Sequence, residues 1–401
     1  MEFVLGLANH VKSSGLETSQ ELNGDHDLES IAMIVSADQL LQPDVKGKEV
    51  FDQPDNDENM LPEQMNVDHF LFLKHIGNGA YGEVAAVEKK TGKDKGTIYA
   101  MKAMEKKKMG KHKEMVDHEW RILTTIDSPF FMTMKYAFQS ARHILFVMPL
   151  AGGGDLLTNI EMIKGDKPDD DKNKELLKDD QAFFYLCELV EAVGYLHKKQ
   201  IVHRDIKLEN LLVANDGHLL VTDYGLSATG CDSDTSVEGT VGTRHVMAPE
   251  IFQKQCYGPA SDWWSVGITL CDMRSGRSVF NPKNSSEIEY SKSTCTKRAR
   301  IPVELNQGER EFVKKLLVAD PVARIGYGTN GTDDIKKQFL FRNVNWEDVL
   351  AKKLIPPFVP NAEQIRTFEC LPCPTNSNWP TFIHATPLYW DDIDYVSSEL
   401  L

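Results

Sequence analysis

Asp205, Lys207 and Asn210 stand within six residues of one another in "IVHRDIKLENLL" (201–212), between apolar runs. A carboxylate, an ammonium and a primary amide so close together can act on a single reacting group. The carboxylate can orient an attacking hydroxyl and accept its proton. The ammonium can meet negative charge as it develops on a phosphoryl group. The amide oxygen is a neutral ligand for a hard cation. Thirteen residues after Asn210, past the turn signal "NDGH" (215–218), Asp223 opens "DYG" and offers a second hard oxygen. A magnesium ion keeps several waters and substrate phosphate oxygens, so one carboxylate and one amide suffice.

Upstream, "IGNGAYGEV" (76–84) has glycines at 77, 79 and 82, which let backbone N–H groups approach a phosphate without side-chain obstruction. A Gly-rich hairpin or a dinucleotide-binding turn uses the same glycines. The dinucleotide turn opens a helix, whereas here the chain continues as a strand pattern, "EVAAVEKK". Lys102 ends "YAMK" on an alternating strand among apolar neighbours, and an inward lysine there is costly without a partner. Glu119, in the helical pattern "MVDHEWRIL", supplies one. A plain surface ion pair, the competing reading, contributes only ~0–1 kcal/mol and needs no fixed strand position.

The elements that must position these groups fall into two textures. From residue 67, short alternating runs ("HFLFLKHIG", "EVAAVEKK", "TIYAMKAM", "HILFVMPLA") predict a small sheet, interrupted by one helix, "KEMVDHEWRILTTI". From about 152, helical spacing dominates in "DDQAFFYLCELVEAVGYLHKK", "DWWSVGITLCDM" and "EREFVKKLLVAD". A β-rich small half before a helical large half predicts two lobes with a cleft between them. "KGDKPDDDKNKELLKDD" (164–180) reads as a solvated insert and "GYGTNGTDD" (326–334) as a turn-rich connection.

The order and spacing of "GNGAYGEV", "AMK", Glu119, "HRDIKLEN", "DYG" and "MAPE" (247–250) resemble those of a eukaryotic protein kinase. "SDWWSVG" and "DPVARIG" extend the resemblance, which covers about residues 67–345. It implies a bilobal α+β fold, with an N-lobe at about 67–151 and a C-lobe at about 152–345, and an ATP- and Mg2+-dependent phosphotransferase. Asp205, Lys207, Lys102 and Glu119 would be the catalytic set, and Asn210 and Asp223 the metal ligands. Ile76, Gly77, Asn78, Gly79, Ala80, Tyr81, Gly82, Glu83 and Val84 would cover the nucleotide, with Ala100, Lys102, Met148, Pro149, Ala151 and Asp155 completing its pocket. The hinge would be "MPLA" (148–151), with Met148 as gatekeeper and the Ala151 N–H donating to the adenine. Glu250 would pair with Arg324, Asp262 would brace the backbone around His203, and Leu123, Met134, His203 and Tyr224 would form a regulatory spine. Tyr224 stands where the family has phenylalanine; a partnerless hydroxyl buried there would cost roughly 1–3 kcal/mol.

Lys207, two residues after Asp205, resembles the serine/threonine kinases, and Leu226 those that prefer serine. "DWW", "GTDDIKKQFLFRNVNW" and "KLIPPFVP" resemble the group named for kinases A, G and C, within it the ribosomal-protein and mitogen- and stress-activated subfamilies. Asp155, Glu209 and Asp272 stand where that group reads basic substrates, so protein substrates with arginine N-terminal to the acceptor are expected; Thr243 would serve the catalytic loop. The activation segment, "SVEGTVGTRHVMAPE" (236–250), departs from the pattern. Gly239 occupies the phosphoacceptor position and Val246 replaces a tyrosine. Ser236 and Thr240 are the remaining acceptors for an upstream activating kinase, and Arg204 the group on which a phosphate would dock. The alternative function is a pseudokinase-like docking module.

Residues 1–66 carry fourteen acids and three bases, and residues 361–401 six acids and one base, so the body between them is close to neutral in a chain of net charge −15. The first segment reads as mostly disordered; its stretch 30–41 reads first as a transiently helical piece of tail, with a short ordered or docking segment as the alternative. Residues 346–401 read as a C-terminal extension, ending in "WDDIDY" (390–395), which resembles the group's hydrophobic motif. Trp390 and Ile393 would anchor it, with Asp394 in place of a phosphorylated residue. Only two residues separate it from Pro387 of "TFIHATP", a span of ~7 Å that argues against reach to the small lobe; constitutive docking of the tail and a floppy acidic end both stay open. An acidic chain is a poor nucleic-acid binder. No apolar run is long enough for a membrane span. The scattered cysteines, including the lone C-x-x-C of Cys370 and Cys373, fit a reducing compartment. A cytoplasmic or nuclear monomer is expected.

Overall fold

The computed structural model describes residues 65–79, 82–109, 113–165, 176–231, 237–276, 279–280, 294, 299–360 and 395–396. Among the sequence expectations, the stretch 30–41, Ala80, Tyr81, Ser236, Cys370, Cys373, Trp390, Ile393 and Asp394 lie outside these residues.

The small lobe is an antiparallel sheet of β1 (Phe70–Gly79), β2 (Gly82–Lys89), β3 (Ile98–Glu105), β4 (Tyr136–Gln139) and β5 (His143–Pro149). The strand order is β1-β2-β3-β5-β4. Period-two alternation sorts its residues by face. Tyr99, Met101, Ala103, Tyr136, Phe138, Leu145 and Val147 pack together on one side. Met104, Ala137, Ile144, Phe146 and Met148 face the other, in one cluster with Val116, Ile122 and Leu123 of α2 (Lys113–Thr125). Lys102 is in phase with Met104, so its side chain must emerge on the face that α2 covers. A short turn of helix, α1 (Lys106–Met109), links β3 to α2.

The large lobe is built on two buried helices. α4 (Asp179–Lys198) is apolar around most of its circumference, which is how a core helix reads. Every residue of α6 (Ala260–Ser275) is buried. Around them lie α3 (Leu156–Gly165), α5 (Pro249–Phe252), α7 (Gln307–Leu316), α8 (Gly331–Lys336) and α9 (Trp346–Leu350). α7 starts with a reciprocal cap between Asn306 and Glu309. α9 belongs to the packed lobe rather than to a free extension. Its Val349 is fully buried, and Trp346 sits 5.3 Å from the ring of Phe341. α8 makes a helix of part of the expected turn-rich connection.

Two small ladders carry the site residues. β6 (Ile201–Val202) pairs with β9 (Ala228–Thr229), and β7 (Leu211–Val213) with β8 (Leu219–Val221). Asp205 and Asn210 lie between β6 and β7, and Asp223 between β8 and β9, so the two ladders bring the segments together. A last strand, β10 (Tyr395–Val396), pairs antiparallel with β4 at the edge of the small-lobe sheet. Tyr395 and Val396 therefore reach the small lobe, although the short connection argued against it. Among the described residues, no helix is long and apolar enough to cross a membrane.

Candidate active site

The phase of β3 and the face of α2 meet at one ion pair. Lys102 Nζ donates to both carboxylate oxygens of Glu119, at 2.6 and 2.8 Å. Burial pushes the Glu119 carboxyl up and Lys102 pulls it down, with a net upward direction. Around the pair, Gly77 has open space where a Cβ would stand, whereas a Cβ on Gly82 would strike the Ala103 carbonyl at 1.8 Å. Only glycine lets β2 lie this close on β3. Ile76 is exposed, Glu83 and Val84 are half-buried, and of Asn78 and Gly79 only the backbone is described. Ala100 and Met148 are a buried cross-strand pair, with Pro149 opposite Tyr99. The Ala151 carbonyl accepts from Gly154 N, while its N–H has no partner among the described residues.

Asp205 is nearly buried and fully engaged. Its Oδ1 accepts from Thr243 N at 2.7 Å, and its Oδ2 is 2.8 Å from Lys207 Nζ and 3.1 Å from Asn210 Nδ2. Burial raises its pKa, but Lys207 and the Thr243 hydrogen bonds outweigh that and hold the carboxyl below its ordinary value. Lys207 also donates to Thr243 Oγ1 at 2.6 Å, tying the catalytic loop to the activation segment. A Cβ on Gly242 would meet Arg204 O at 2.4 Å, and its φ is +111°. Glycine is thus required where the two segments touch.

The donor set fits a hard divalent cation. Both donations of Asn210 Nδ2 go to Asp205, to its carbonyl at 2.8 Å and its carboxylate at 3.1 Å. That leaves the amide oxygen as the group that would ligate an ion. Asp223 is exposed and adopts φ +65°. Arg204 also has positive φ, +69°. Left-handed backbone at non-glycine residues costs of order 1–3 kcal/mol and collects at functional sites.

The supports are buried and polar. Asp262, fully buried, accepts His203 N and Arg204 N at 2.9 Å each, and its Oδ2 meets His197 Nε2 at 2.9 Å. Burial pushes this carboxyl up, but His197, His203 and the backbone donors hold it below its ordinary value. Arg324 grips Glu250 bidentately at 2.7 and 2.8 Å. Leu123 and Met134 are joined by a 3.2 Å backbone bond, and the rings of His203 and Tyr224 meet edge to face at 5.8 Å. The Tyr224 hydroxyl does have a partner. It donates to Val221 O at 2.6 Å, so the penalty expected for an orphan hydroxyl does not arise.

Other contacts were invisible in the motifs. The Arg204 guanidinium makes three bonds to the chain itself: Nε donates to Leu226 O, Nη2 to Ser227 O at 3.0 Å and Nη1 to Tyr257 Oη at 3.3 Å. His118 of α2 meets Ser227 Oγ at 3.2 Å. Gly239 has φ +111° and Thr240 is exposed. Asp155 caps α3, accepting Thr158 N at 2.8 Å and Thr158 Oγ1 at 2.7 Å. Glu209 is exposed, and Asp272 lies 2.6 Å from His245. The place of Asp155 just before an apolar helical run is a signal that could have shown its capping role; nothing in the sequence pointed to His245.

These groups gather where the small sheet and α2 meet the two ladders: a Cβ on Gly225 would lie 3.6 Å from Asp223 Oδ1 and 3.9 Å from Glu119 Oε2. Residues 70–338 match the protein kinase domain, and the chain belongs to the protein kinase family. It is 34% identical over 300 residues to the RAC-beta serine/threonine-protein kinase of Rattus norvegicus, covering 74% of this chain and 59% of that one. To the serine/threonine-protein kinase AtPK2/AtPK19 of Arabidopsis thaliana it is 35% identical over 312 residues, 76% of this chain and 62% of that one. The human RAC-beta kinase is 33% identical over 300 residues, 74% and 59% of the two chains. These relatives belong to the group named for kinases A, G and C, the group that the sequence resembles. The chain spans about 60% of the length of the curated relatives that it matches.

Proposed function

We propose that this chain is an active serine/threonine kinase that transfers the γ-phosphoryl of ATP, with Mg2+, to protein substrates with arginine N-terminal to the acceptor. The observation that carries the reading is the completeness of the set: Lys102 on Glu119, Asp205 held by Thr243, Lys207 and Asn210, and Asp223 one ladder away. Asn210 and Asp223 would hold the ion, which when bound neutralises charge on the phosphates. Lys102 would take the nucleotide phosphates, Asp205 the hydroxyl of the acceptor, and Lys207 the charge that develops on the transferred group.

Asp155 is assigned to arginine at position −3, and Glu209 with Asp272 to arginine at −2, through charge-assisted bonds. The test uses labelled ATP and paired peptides with and without the −3 arginine. Asp155→Asn keeps an N-cap side chain and removes the charge. It is expected to lower kcat/KM about tenfold on the arginine peptide and far less on the other, as loss of one charged hydrogen bond implies. Equal losses on both would leave Asp155 a helix cap only. No transfer to any basic peptide by the intact chain would favour the docking-module reading.

The Arg204 contacts support a second expectation. Each of its three guanidinium nitrogens already donates once, tying the catalytic loop to Leu226, Ser227 and Tyr257. Relatives would bring a phosphate to this arginine, but Gly239 stands at the acceptor position. Phosphatase treatment is therefore expected to leave kcat/KM within about twofold, less than the loss of one hydrogen bond. A large drop that is restored by rephosphorylation at Thr240 would contradict this.

A further inference from the structure

Asp272 rises from α6 with only 9% of its surface exposed. Its Oδ2 lies 2.6 Å from His245 Nε2. His245 comes from the activation segment, two residues beyond Thr243, whose hydroxyl takes a bond from Lys207. One of the acids assigned to reading arginine is thus already matched by an imidazole of the same chain.

The geometry points to His245 as a specificity-determining residue: its ring occupies Asp272 and weakens the selection of arginine at −2, leaving Glu209 as the open carboxylate there. This rests on the basic-substrate reading above. An incoming guanidinium must displace a short bond between side chains before it reaches Asp272, whereas exposed Glu209 needs no displacement. Among the described residues the Asp155 side chain bonds to Thr158 of its own helix, so selection at −3 is untouched. The carboxylates that face the imidazole are Asp272 from α6 and Glu209 from the catalytic loop, and Arg244 precedes it in the chain. Burial draws the His245 pKa down, but Asp272 and then Glu209 raise it, with a net upward direction. The ring is therefore cationic over more of the neutral range than a free histidine. As pH rises through its pKa the ring loses its charge, and a −2 arginine then competes better for Asp272.

Three peptides test this with the full chain: arginine at −3 and −2, arginine at −3 alone, and neither. The ratio of kcat/KM for the first peptide over the second measures −2 selection. It is expected to rise about tenfold in His245→Ala and in His245→Gln, the scale of one charged hydrogen bond. Adding Asp272→Asn to either variant should erase the gain. In the unmodified chain the ratio should climb as pH rises past the ordinary histidine range, and the climb should be smaller in His245→Gln, where only the Asp272 carboxyl, itself raised by burial, still titrates. Titrations common to both peptides cancel in the ratio. Unchanged ratios in both His245 variants, with −3 selection intact, overturn the inference and leave the basic-substrate reading standing. Loss of discrimination among all three peptides in the unmodified chain overturns both.

Discussion

An Asp205→Asn enzyme is expected to keep its fold and its affinity for nucleotide while losing about 10²–10⁴-fold in kcat, the range for a group that positions and accepts a proton. Asparagine is isosteric, and its carbonyl can still accept from Thr243 N. The opposite end becomes an NH2 group facing Lys207 Nζ and Asn210 Nδ2, which are donors themselves. That clash pushes Lys207 toward Thr243 and removes the acceptor for the substrate hydroxyl. Steady-state kinetics beside a nucleotide thermal-shift titration separate the two effects. The same contacts fix the pH behaviour. Because the folded pKa of Asp205 is held below the ordinary aspartate value, this group is ionised across the neutral range. Its contribution to stability is present above the unfolded aspartate pKa and is lost as pH falls through the lower folded value. No acid limb from Asp205 is expected near neutrality in a kcat profile. A carboxylate held below its ordinary pKa is a weaker base, so in the proposed reaction its main work would be to orient the hydroxyl and to take the proton late.

What the sequence made legible was whatever depends on short-range pattern. Period two along β3 placed Lys102 opposite Met101 and Ala103, and the face of α2 placed Glu119 to meet it, so a pair seventeen residues apart could be expected before its geometry was known. "HRDIKLEN" and "DYG" were legible because a hairpin of a few residues separates them. Contacts between distant segments were not. Nothing in the types of residue 245 and residue 272 says that they touch, and the bond between them exists only because the activation segment folds back over α6. The partner of the Tyr224 hydroxyl is a backbone carbonyl three residues earlier, available only in the turn the chain makes there. Arg204 was read as a group on which a phosphate would dock; that carbonyls at 226 and 227 take two of its five N–H donors was not legible.

The end of the chain shows a different limit. A span calculated from Pro387 bounds the reach of "WDDIDY" only if Pro387 is itself held at the active site. β10 on β4 shows that the terminal strand arrives at the small-lobe edge. Its pairing covers backbone groups that would otherwise leave β4 as an open edge.

Lys102→Met is expected to have two separable costs. The first is catalytic: removing a fixed cation from the nucleotide phosphates should cost about 10²–10³-fold in kcat/KM, as for other preorganised charge-stabilising groups. The second is structural. Both side chains are largely buried, with 12% and 6% of their surfaces exposed. A single substitution strands the Glu119 carboxylate in a site that already raises its pKa through burial, and breaking such a pair costs about 3 kcal/mol or more. The sign follows from linkage. A carboxyl whose folded pKa lies above its unfolded one binds more protons in the folded state, so stability falls as pH rises through that window. Without Lys102 the window widens, and the Tm deficit of Lys102→Met should grow from acid toward neutral pH. Lys102→Met combined with Glu119→Leu replaces the pair by apolar groups and should recover most of the Tm, with no pH-dependent deficit. It should recover none of the activity, because the cation for the phosphates is still missing. Recovery of both would make the pair a scaffold for α2 alone, and recovery of neither would mean that the contact between β3 and α2 depends on the charges themselves.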